Sequence, residues 1–143
     1  MSQVPKDLSK RIETDPTDQD VGLRGRTYAI PFDDVWEAAA GLADGGLRGW
    51  RTHRADDQAG VIEAIATTRI RKVQDDIRVK IGLDENGQTR VDLRCWPMDG
   101  RGNLKRNRRR LYRFFSRLDR SLNAGPSDIL DPTAPPSWRV PPA

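Results

Sequence analysis

Cysteine and histidine are almost absent from this sequence. Cys95 is the only cysteine and His53 the only histidine among 143 residues. A disulfide within one chain needs two cysteines, and a structural zinc site needs about four cysteine or histidine ligands. The composition therefore excludes an internal disulfide and a metal site rich in cysteine or histidine, and we expect no metal and no cofactor.

Apolar residues are also scarce, and they form no long run. They make up 36% of the chain, below the ~45–50% of a typical globular domain, while charged residues make up 32%. A transmembrane helix needs ~20 consecutive apolar residues, and the N-terminus lacks the apolar core of a secretory signal peptide. We therefore expect a cytoplasmic protein with one domain, a modest core and no transmembrane segment.

The two ends of the chain have compositions that argue against packing. Residues 1–23 contain five acidic and three basic residues without a helical or strand period, which predicts a mobile N-terminal arm. Residues 124–143 form a Pro-rich C-terminal tail with six prolines, which cannot be a helix or an inner strand. The tail also holds Trp138, which either docks on its own domain, as we favour, or binds a partner. Residues 24–123 form the predicted domain.

Within the predicted domain the hydrophobic period alternates between that of helices and that of strands. Apolar residues recur every three or four positions from Phe32 to Ala43, which indicates a helix. One strand candidate precedes this helix and four follow it, at residues 26–30, 49–54, 61–70, 76–83 and 89–96. Asn86-Gly87 separates the last two strands and favours a type I′ hairpin, which pairs them antiparallel.

The last two strands and the last helix each have one apolar face. Apolar and charged residues alternate in both strands, and residues 103–122 carry a stripe of leucine and phenylalanine at helical spacing. We therefore predict an α+β fold in β-α-β-β-β-β-α order, with helices on the apolar face of an antiparallel sheet and solvent on the charged face. The side chains expected to be mostly buried are Trp36, Trp50, Val79, Ile81, Val91, Leu93, Phe114, Phe115 and Leu118.

Several short segments occur in an order that resembles a known family. They are Tyr28-Ala-Ile-Pro31, Val35-Trp36, Trp50, Gly60-Val-Ile-Glu-Ala64, Asp75-Asp76, Thr89-Arg-Val-Asp-Leu-Arg94, Asn107 and Arg110. Together they resemble the bacterial family catalogued as domain of unknown function 1499 (DUF 1499). The resemblance implies no known activity, cofactor or catalytic residue. The element order is also similar to that of helix-grip lipid-binding proteins, which implies a pocket between sheet and last helix for a small apolar ligand.

The residues that could carry catalysis are poorly arranged for it. Cys95 falls on the apolar side of its strand, so we expect its thiol to be buried and inert. Neighbouring carboxylates on a strand, such as Asp75 and Asp76, point to opposite faces, which is poor geometry for acid–base chemistry or for one metal ion. We therefore expect a non-catalytic ligand-binding or scaffold module rather than an enzyme.

Four polar residues are expected to have structural roles. Asp76, together with its neighbour Asp75, is predicted to form an ion pair with an arginine such as Arg94 or Arg110 and so to hold a strand to its neighbour. Asn107 falls on the inner stripe of the last helix, where an unsatisfied amide costs roughly 1–3 kcal/mol. We expect this amide to bond the backbone of the loop that precedes the helix.

Basic residues are concentrated in the last helix. Residues 101–120 contain nine arginines and lysines against Asp119, a net charge of +8 in a chain of net charge +4. The favoured interpretation is a solvated face that pairs with acidic residues of the N-terminal arm. The alternative is an anionic partner: a phosphate-bearing ligand, a membrane surface or an RNA backbone. A nucleic acid is not favoured, because on the charged face of the sheet, the other candidate RNA surface, only Trp96 is placed to stack a base.

The start of this helix is the candidate site for an anion. Glycine before a helix N-terminus lets backbone N–H groups approach a negatively charged group, and basic side chains can then surround it. The candidate anion-binding residues are Arg101, Gly102, Lys105 and Arg106.

Overall fold

The computed structural model describes residues 11–98 and 103–134, which contain seven strands and two α-helices. The strands are β1 (Ile12–Glu13), β2 (Arg26–Tyr28), β3 (Trp50–Asp56), β4 (Val61–Thr67), β5 (Gln74–Leu83), β6 (Thr89–Pro97) and β7 (Ile129–Leu130). The helices are α1 (Phe32–Gly41) and α2 (Leu104–Ser121). The order contains the predicted β-α-β-β-β-β-α run, with one additional two-residue strand near either end.

All seven strands belong to one antiparallel sheet. The strand order is β3-β4-β5-β6-β2-β7, and β1 also pairs with β6. The longest pairing joins β5 to β6, from Asp75 opposite Pro97 to Leu83 opposite Thr89. Because neighbouring strands run in opposite directions, the start of β3, the end of β4 and the start of β5 lie at the same end of the sheet. The predicted α+β class with an antiparallel sheet is confirmed.

Both helices pack into the same apolar core. Val35 of α1 and Leu111 and Phe114 of α2 belong to one buried cluster with the inward-facing residues of β4, β5 and β6. Residues three and four apart fall on one side of a helix, so this spacing gives each helix one buried face. Every side chain that was predicted to be mostly buried is buried, except that of Trp36, which is half-buried against the cluster.

The turn between β5 and β6 differs from the predicted type I′ turn. That turn type needs positive φ at both central residues, whereas in this fully described loop only Gly87 has positive φ, at +76°. The Asp84 carboxylate accepts the backbone N–H groups of Asn86 and Gln88, each at 2.9 Å. The connection is therefore a longer turn capped by an aspartate, while the antiparallel pairing of the two strands is as predicted.

The N-terminal segment differs from the mobile arm predicted over residues 1–23. Residues 11–23 pack on the domain: Ile12 lies opposite Cys95 in the sheet, and Leu23 is buried in the core cluster. A two-residue strand has no readable period, and its pairing depends on tertiary contacts rather than on local pattern. The prediction was therefore wrong for residues 11–23, which pack on the domain. Residues 1–10 lie outside the described residues.

The charged face of β6 is not solvated as predicted, because two of its residues form a buried ion pair. Arg90 and Asp92 are fully buried and are joined by two hydrogen bonds of 3.0 and 2.8 Å. The Thr14 hydroxyl donates to Asp92 at 2.6 Å, and Arg90 also donates to the Arg24 carbonyl and the Thr27 hydroxyl. Buried charges require such pairing. Thr14 belongs to the N-terminal segment, so that segment contacts the buried pair directly.

The described part of the Pro-rich tail adds an edge strand. β7 pairs with β2, with Ile129 opposite Tyr28 and Leu130 opposite Thr27. It is the last strand in the sheet order, and Ile129 packs against the core cluster, so the domain continues beyond its predicted end at residue 123. Trp138 lies outside the described residues, so its docking stays a prediction.

Candidate functional site

A basic cleft lies between the N-terminal half of α2 and one end of the sheet, with a volume of about 680 Å³. Four arginines of α2 line it: Arg106, Arg109, Arg110 and Arg113. The loops before β3 and between β4 and β5 add three further cations: Arg48, Arg69 and Lys72. Among the described residues that line the cleft, none is acidic. Seven cationic side chains therefore surround one space.

The antiparallel sheet brings these cations together from three separate segments. Residues spaced three or four apart share one side of a helix, which aligns the four arginines of α2. The start of β3, the end of β4 and the start of β5 meet at one end of the sheet, which places the two loops beside that helix. Sequence reasoning missed the loop cations, and the available signal was basic residues adjoining the ends of these strands.

Short backbone contacts hold both loops of the cleft. The Thr67 N–H donates to the Gly49 carbonyl at 2.9 Å. Gly49 has a φ of +84°, and a Cβ atom there would lie 2.4 Å from the Thr67 carbonyl oxygen, so the position requires glycine. In the other loop the Thr68 N–H donates to the Val73 carbonyl, and the Val73 N–H donates to the Thr68 hydroxyl, each at 2.9 Å. Hydrogen bonds therefore fix both loops next to the strands that they adjoin.

Lys72 has an unfavourable backbone conformation within the β4–β5 loop. Its φ is +54°, in the left-handed region that costs a residue with a Cβ atom roughly 1–2 kcal/mol. Strained residues persist where surrounding structure fixes them, and they are concentrated at binding and active sites. The strained backbone of Lys72 is therefore a second feature of this loop, besides its positive charge, that is typical of a binding site.

The cleft has an apolar floor. Leu47 and Trp50 line it and are buried, and the indole of Trp50 stacks on the Phe114 ring with centroids 5.8 Å apart. Beyond this pair, side chains such as Leu111 and Leu118 are fully buried between α2 and the sheet. A ligand in the cleft would therefore meet basic walls and an apolar floor.

Two of the seven cations are paired with a buried carboxylate of β5. The Oδ2 atom of Asp75 accepts hydrogen bonds from Arg110 and from Arg106, the latter at 3.3 Å. Asp75 shares the inner face of the strand with Ile77, so its side chain points towards α2. Arg110 therefore pairs with Asp75, one of the two neighbouring aspartates for which an arginine partner was predicted. The sequence pattern started this strand at residue 76, two residues after its observed start at Gln74, and so left out the inward position of Asp75.

Asn107 is buried beside this ion pair. Its Oδ1 atom accepts a hydrogen bond of 2.7 Å from Arg110, so the amide helps to orient a cleft arginine. Its Nδ2 atom has no hydrogen-bond partner among the described residues. The loop that was predicted to bond this amide includes residues 99–102, which lie outside the described part of the chain. The observed partner is the side chain of Arg110.

The predicted anion site at the start of α2 coincides only partly with the cleft. The Asn103 side chain caps the helix by accepting the Arg106 N–H at 3.0 Å, so it occupies one of the free N–H groups. Arg106 lines the cleft, whereas Lys105 is exposed and does not line it. Arg101 and Gly102 lie outside the described residues. Arg106 is therefore the predicted residue that lines the cleft. The other arginines of α2 that line it, Arg109, Arg110 and Arg113, lie one and two turns further along the helix.

The acidic N-terminal segment, which was the favoured partner of the basic helix, contacts α2 through Asp20, but outside the cleft, while its Glu13 pairs with β6. Glu13 accepts a hydrogen bond of 2.9 Å from Arg94 of β6, whose guanidinium lies 5.5 Å from the centroid of the Trp96 ring. Asp20 accepts a hydrogen bond from the Tyr112 hydroxyl, which lowers the pKa of the Asp20 carboxyl. These two carboxylates therefore do not neutralise the residues that line the cleft.

The single cysteine and the single histidine are far apart in the sheet. Cys95 lies on β6 and His53 on β3, three strands away, which corresponds to about 14 Å at ~4.8 Å per strand. Burial raises the pKa of the Cys95 thiol, so the reactive thiolate is not populated near neutral pH. His53 is exposed. These two residues do not form a catalytic pair.

The fold and the cleft define a class of protein: an antiparallel sheet covered on one face by two helices, with a cationic cleft at one end. Residues 3–118 match the family model described as "Protein of unknown function (DUF1499)". The chain therefore belongs to this family, which confirms the resemblance seen in the sequence. No curated protein and no solved structure matches the chain. Neither helix in the described residues has the length and apolarity needed to cross a membrane.

Proposed function

We propose that this chain is a non-catalytic binding module that holds an anionic ligand in the basic cleft. The observation that carries the proposal is the set of seven cationic side chains around one space of about 680 Å³. Like charges that line one cleft repel one another, and a bound anion relieves that repulsion. The convergence of these cations from three segments supports a binding function over a solvated surface.

The charge and size of the cleft favour a ligand with several negative charges. Among the described residues, the seven cations and the paired Asp75 carboxylate give a net charge of +6. Six of the seven cations are arginines, whose guanidinium groups bind carboxylate and phosphate oxygens through paired N–H donors. Ligand pockets usually have volumes of ~300–1,000 Å³, so this one suits a molecule of about nucleotide size.

The chemistry of the cleft supports binding rather than catalysis. Its described polar side chains are guanidinium and ammonium groups and the hydroxyls of Thr67 and Thr68, none of which is a general base at neutral pH. The separation of Cys95 from His53 also argues against a nucleophile with its base. We therefore propose that the chain is not an enzyme, and its cytoplasmic location stays a prediction.

A small apolar ligand of the helix-grip type is less well supported. Phe114, Leu111 and Leu118 are fully buried where such a ligand would lie between α2 and the sheet. In the cleft itself, an apolar molecule would remove water from the guanidinium groups without replacing the lost hydrogen bonds, which is costly. The anionic ligand is the better fit to these walls.

The proposed function can be tested by calorimetric titration of the full chain with inorganic pyrophosphate at low salt. We expect one saturable site per chain, with an affinity that falls as the salt concentration rises. The test variant, Arg109→Ala/Arg113→Ala, removes two exposed arginines that line the cleft. The control variant, Arg108→Ala/Arg120→Ala, removes two exposed arginines of the same helix that do not line it. Both variants lose the same charge.

The two variants separate a defined site from the general attraction of a basic helix. We expect the cleft variant to lose pyrophosphate affinity by at least about tenfold, because hydrogen bonds to charged groups contribute roughly 1.5–3 kcal/mol each. The control variant should lose about twofold or less, because exposed distant charges are screened. Equal losses in both variants, or no saturable binding by the full chain at low salt, would refute the proposal.

A further inference from the structure

An exposed apolar side chain adjoins the basic cleft. Ile70 lies in the loop between β4 and β5, and 88% of its surface is exposed. It lies between Arg69 and Arg71 in the chain, and Lys72 follows, so the loop is apolar at one position and basic around it. A single exposed isoleucine is ordinary on a protein surface, so it indicates a binding surface only if its neighbours support one.

Two further apolar side chains are exposed at the same end of the sheet. Met98 follows β6 directly, donates its N–H to the Gln74 carbonyl at the start of β5, and is 39% exposed. Leu104 begins α2 and is 41% exposed. We call Ile70, Met98 and Leu104 the apolar rim. The rim lies at the end of the molecule that carries the cleft.

We propose that this end of the molecule docks on the surface of an anionic lipid bilayer. The apolar rim enters the headgroup region, and the cations of the cleft bind the phosphate and carboxylate groups of the lipids. The inference rests on the proposed function, since a lipid headgroup is then the anion that the cleft holds. A bilayer surface places anionic groups next to hydrocarbon, which is the chemistry that basic side chains beside aliphatic ones complement.

The exposed residues favour a bilayer over RNA as the anionic surface. Proteins bind unpaired bases by stacking them on aromatic rings. The rim is aliphatic, and Trp50, the aromatic residue that lines the cleft, is 7% exposed and already stacked on Phe114. Aliphatic side chains strengthen bilayer binding through the apolar area that they bury.

The experiment is co-sedimentation of the full chain with vesicles of equal parts phosphatidylserine and phosphatidylcholine. The test variant is Ile70→Ser and the matched control is Leu83→Ser. Leu83 is also exposed, but it lies at the opposite end of β5, about 30 Å from the β4–β5 loop at ~3.4 Å per residue. Neither substitution changes the charge or removes a buried side chain, so we expect both variants to fold.

We expect the full chain and the Leu83→Ser variant to bind these vesicles equally, and the Ile70→Ser variant to bind about tenfold more weakly. All three proteins should bind inorganic pyrophosphate with the same affinity, because neither position lines the cleft. Equal vesicle binding by the two variants, or equal binding to vesicles of phosphatidylcholine alone, would overturn the docking proposal.

The same measurements distinguish failure of the docking proposal from failure of the proposed function. Binding of pyrophosphate without binding of vesicles overturns docking and leaves the cleft as a site for a free anion. Absence of both kinds of binding overturns both proposals. A single-stranded RNA oligonucleotide that binds more tightly than the vesicles, with no effect of Ile70→Ser, would assign the surface to nucleic acid and overturn docking.

Discussion

Replacement of Asp75 by asparagine tests the ion pairs next to the cleft, because stability and anion affinity should change in opposite directions. Asp75 is fully buried, and its carboxylate pairs with Arg106 and Arg110. Asparagine has nearly the same shape without the charge, so the Asp75→Asn substitution removes the ion pairs and leaves no cavity. The two guanidinium groups then keep their full positive charge beside the cleft.

The size of each effect follows from the geometry. Hydrogen bonds to charged groups contribute roughly 1.5–3 kcal/mol, and the side chains of Arg106 and Arg110 are 23% and 12% exposed to water that can replace part of the loss. We therefore expect the free energy of unfolding to fall by about 2 kcal/mol. A unit charge about 7 Å from an anion contributes roughly 2 kcal/mol, and salt screening reduces this to about 1 kcal/mol. Pyrophosphate should bind about fivefold more tightly.

The assay combines urea unfolding, followed by tryptophan fluorescence, with a calorimetric pyrophosphate titration. The control is Asp57→Asn, which removes an exposed carboxylate from the turn between β3 and β4 at the other end of the sheet. We expect little change in this control. A destabilised Asp75→Asn variant that also binds pyrophosphate more weakly would refute the reasoning, because Asp75 would then organise the cleft instead of competing with its ligand. Unchanged stability of the Asp75→Asn variant would contradict a stabilising role of the ion pairs that Asp75 forms with Arg106 and Arg110.

Three further predictions concern single sites. Arg90→Met leaves the buried Asp92 without its guanidinium partner, so urea unfolding should show a loss of about 3–5 kcal/mol, and Arg90→Met/Asp92→Leu should recover most of it. Lys72→Gly relieves the left-handed strain and removes a cleft charge, so stability should rise by about 0.5–1 kcal/mol while pyrophosphate affinity falls. The Cys95 thiol, whose pKa burial raises, should react with a disulfide reagent at about pH 8 only after unfolding. Rapid reaction of the folded chain would contradict its burial.

The parts of the fold with a sustained period could be predicted from the sequence. The stripe of α2 runs through five turns, and apolar and charged residues alternate over 77–81 in β5 and 90–95 in β6, so local pattern identifies the face of each element that joins the core. The Pro-rich composition of the tail was enough to restrict it to an edge position. These features depend on spacing and backbone chemistry within one segment.

The remaining features depend on contacts between distant segments. Arg90 and Asp92 alternate as exposed residues do, and only the packing of Thr14 and the neighbouring N-terminal segment shows that they are buried. The cleft joins cations from two loops and a helix, and no local pattern links Lys72 to Arg109. The sequence therefore predicted the basic helix and its start. The position of the cleft could not be predicted without knowing the order of the strands in the sheet.

The most direct test of the cleft is a map of backbone amide chemical shifts of the full chain during titration with inorganic pyrophosphate. If the cleft holds the anion, saturable shifts will be concentrated in residues 47–50, residues 67–73 and the N-terminal half of α2. Shifts spread evenly along all the basic residues of α2, with no change in the loops before β3 and after β4, would contradict a defined anion site.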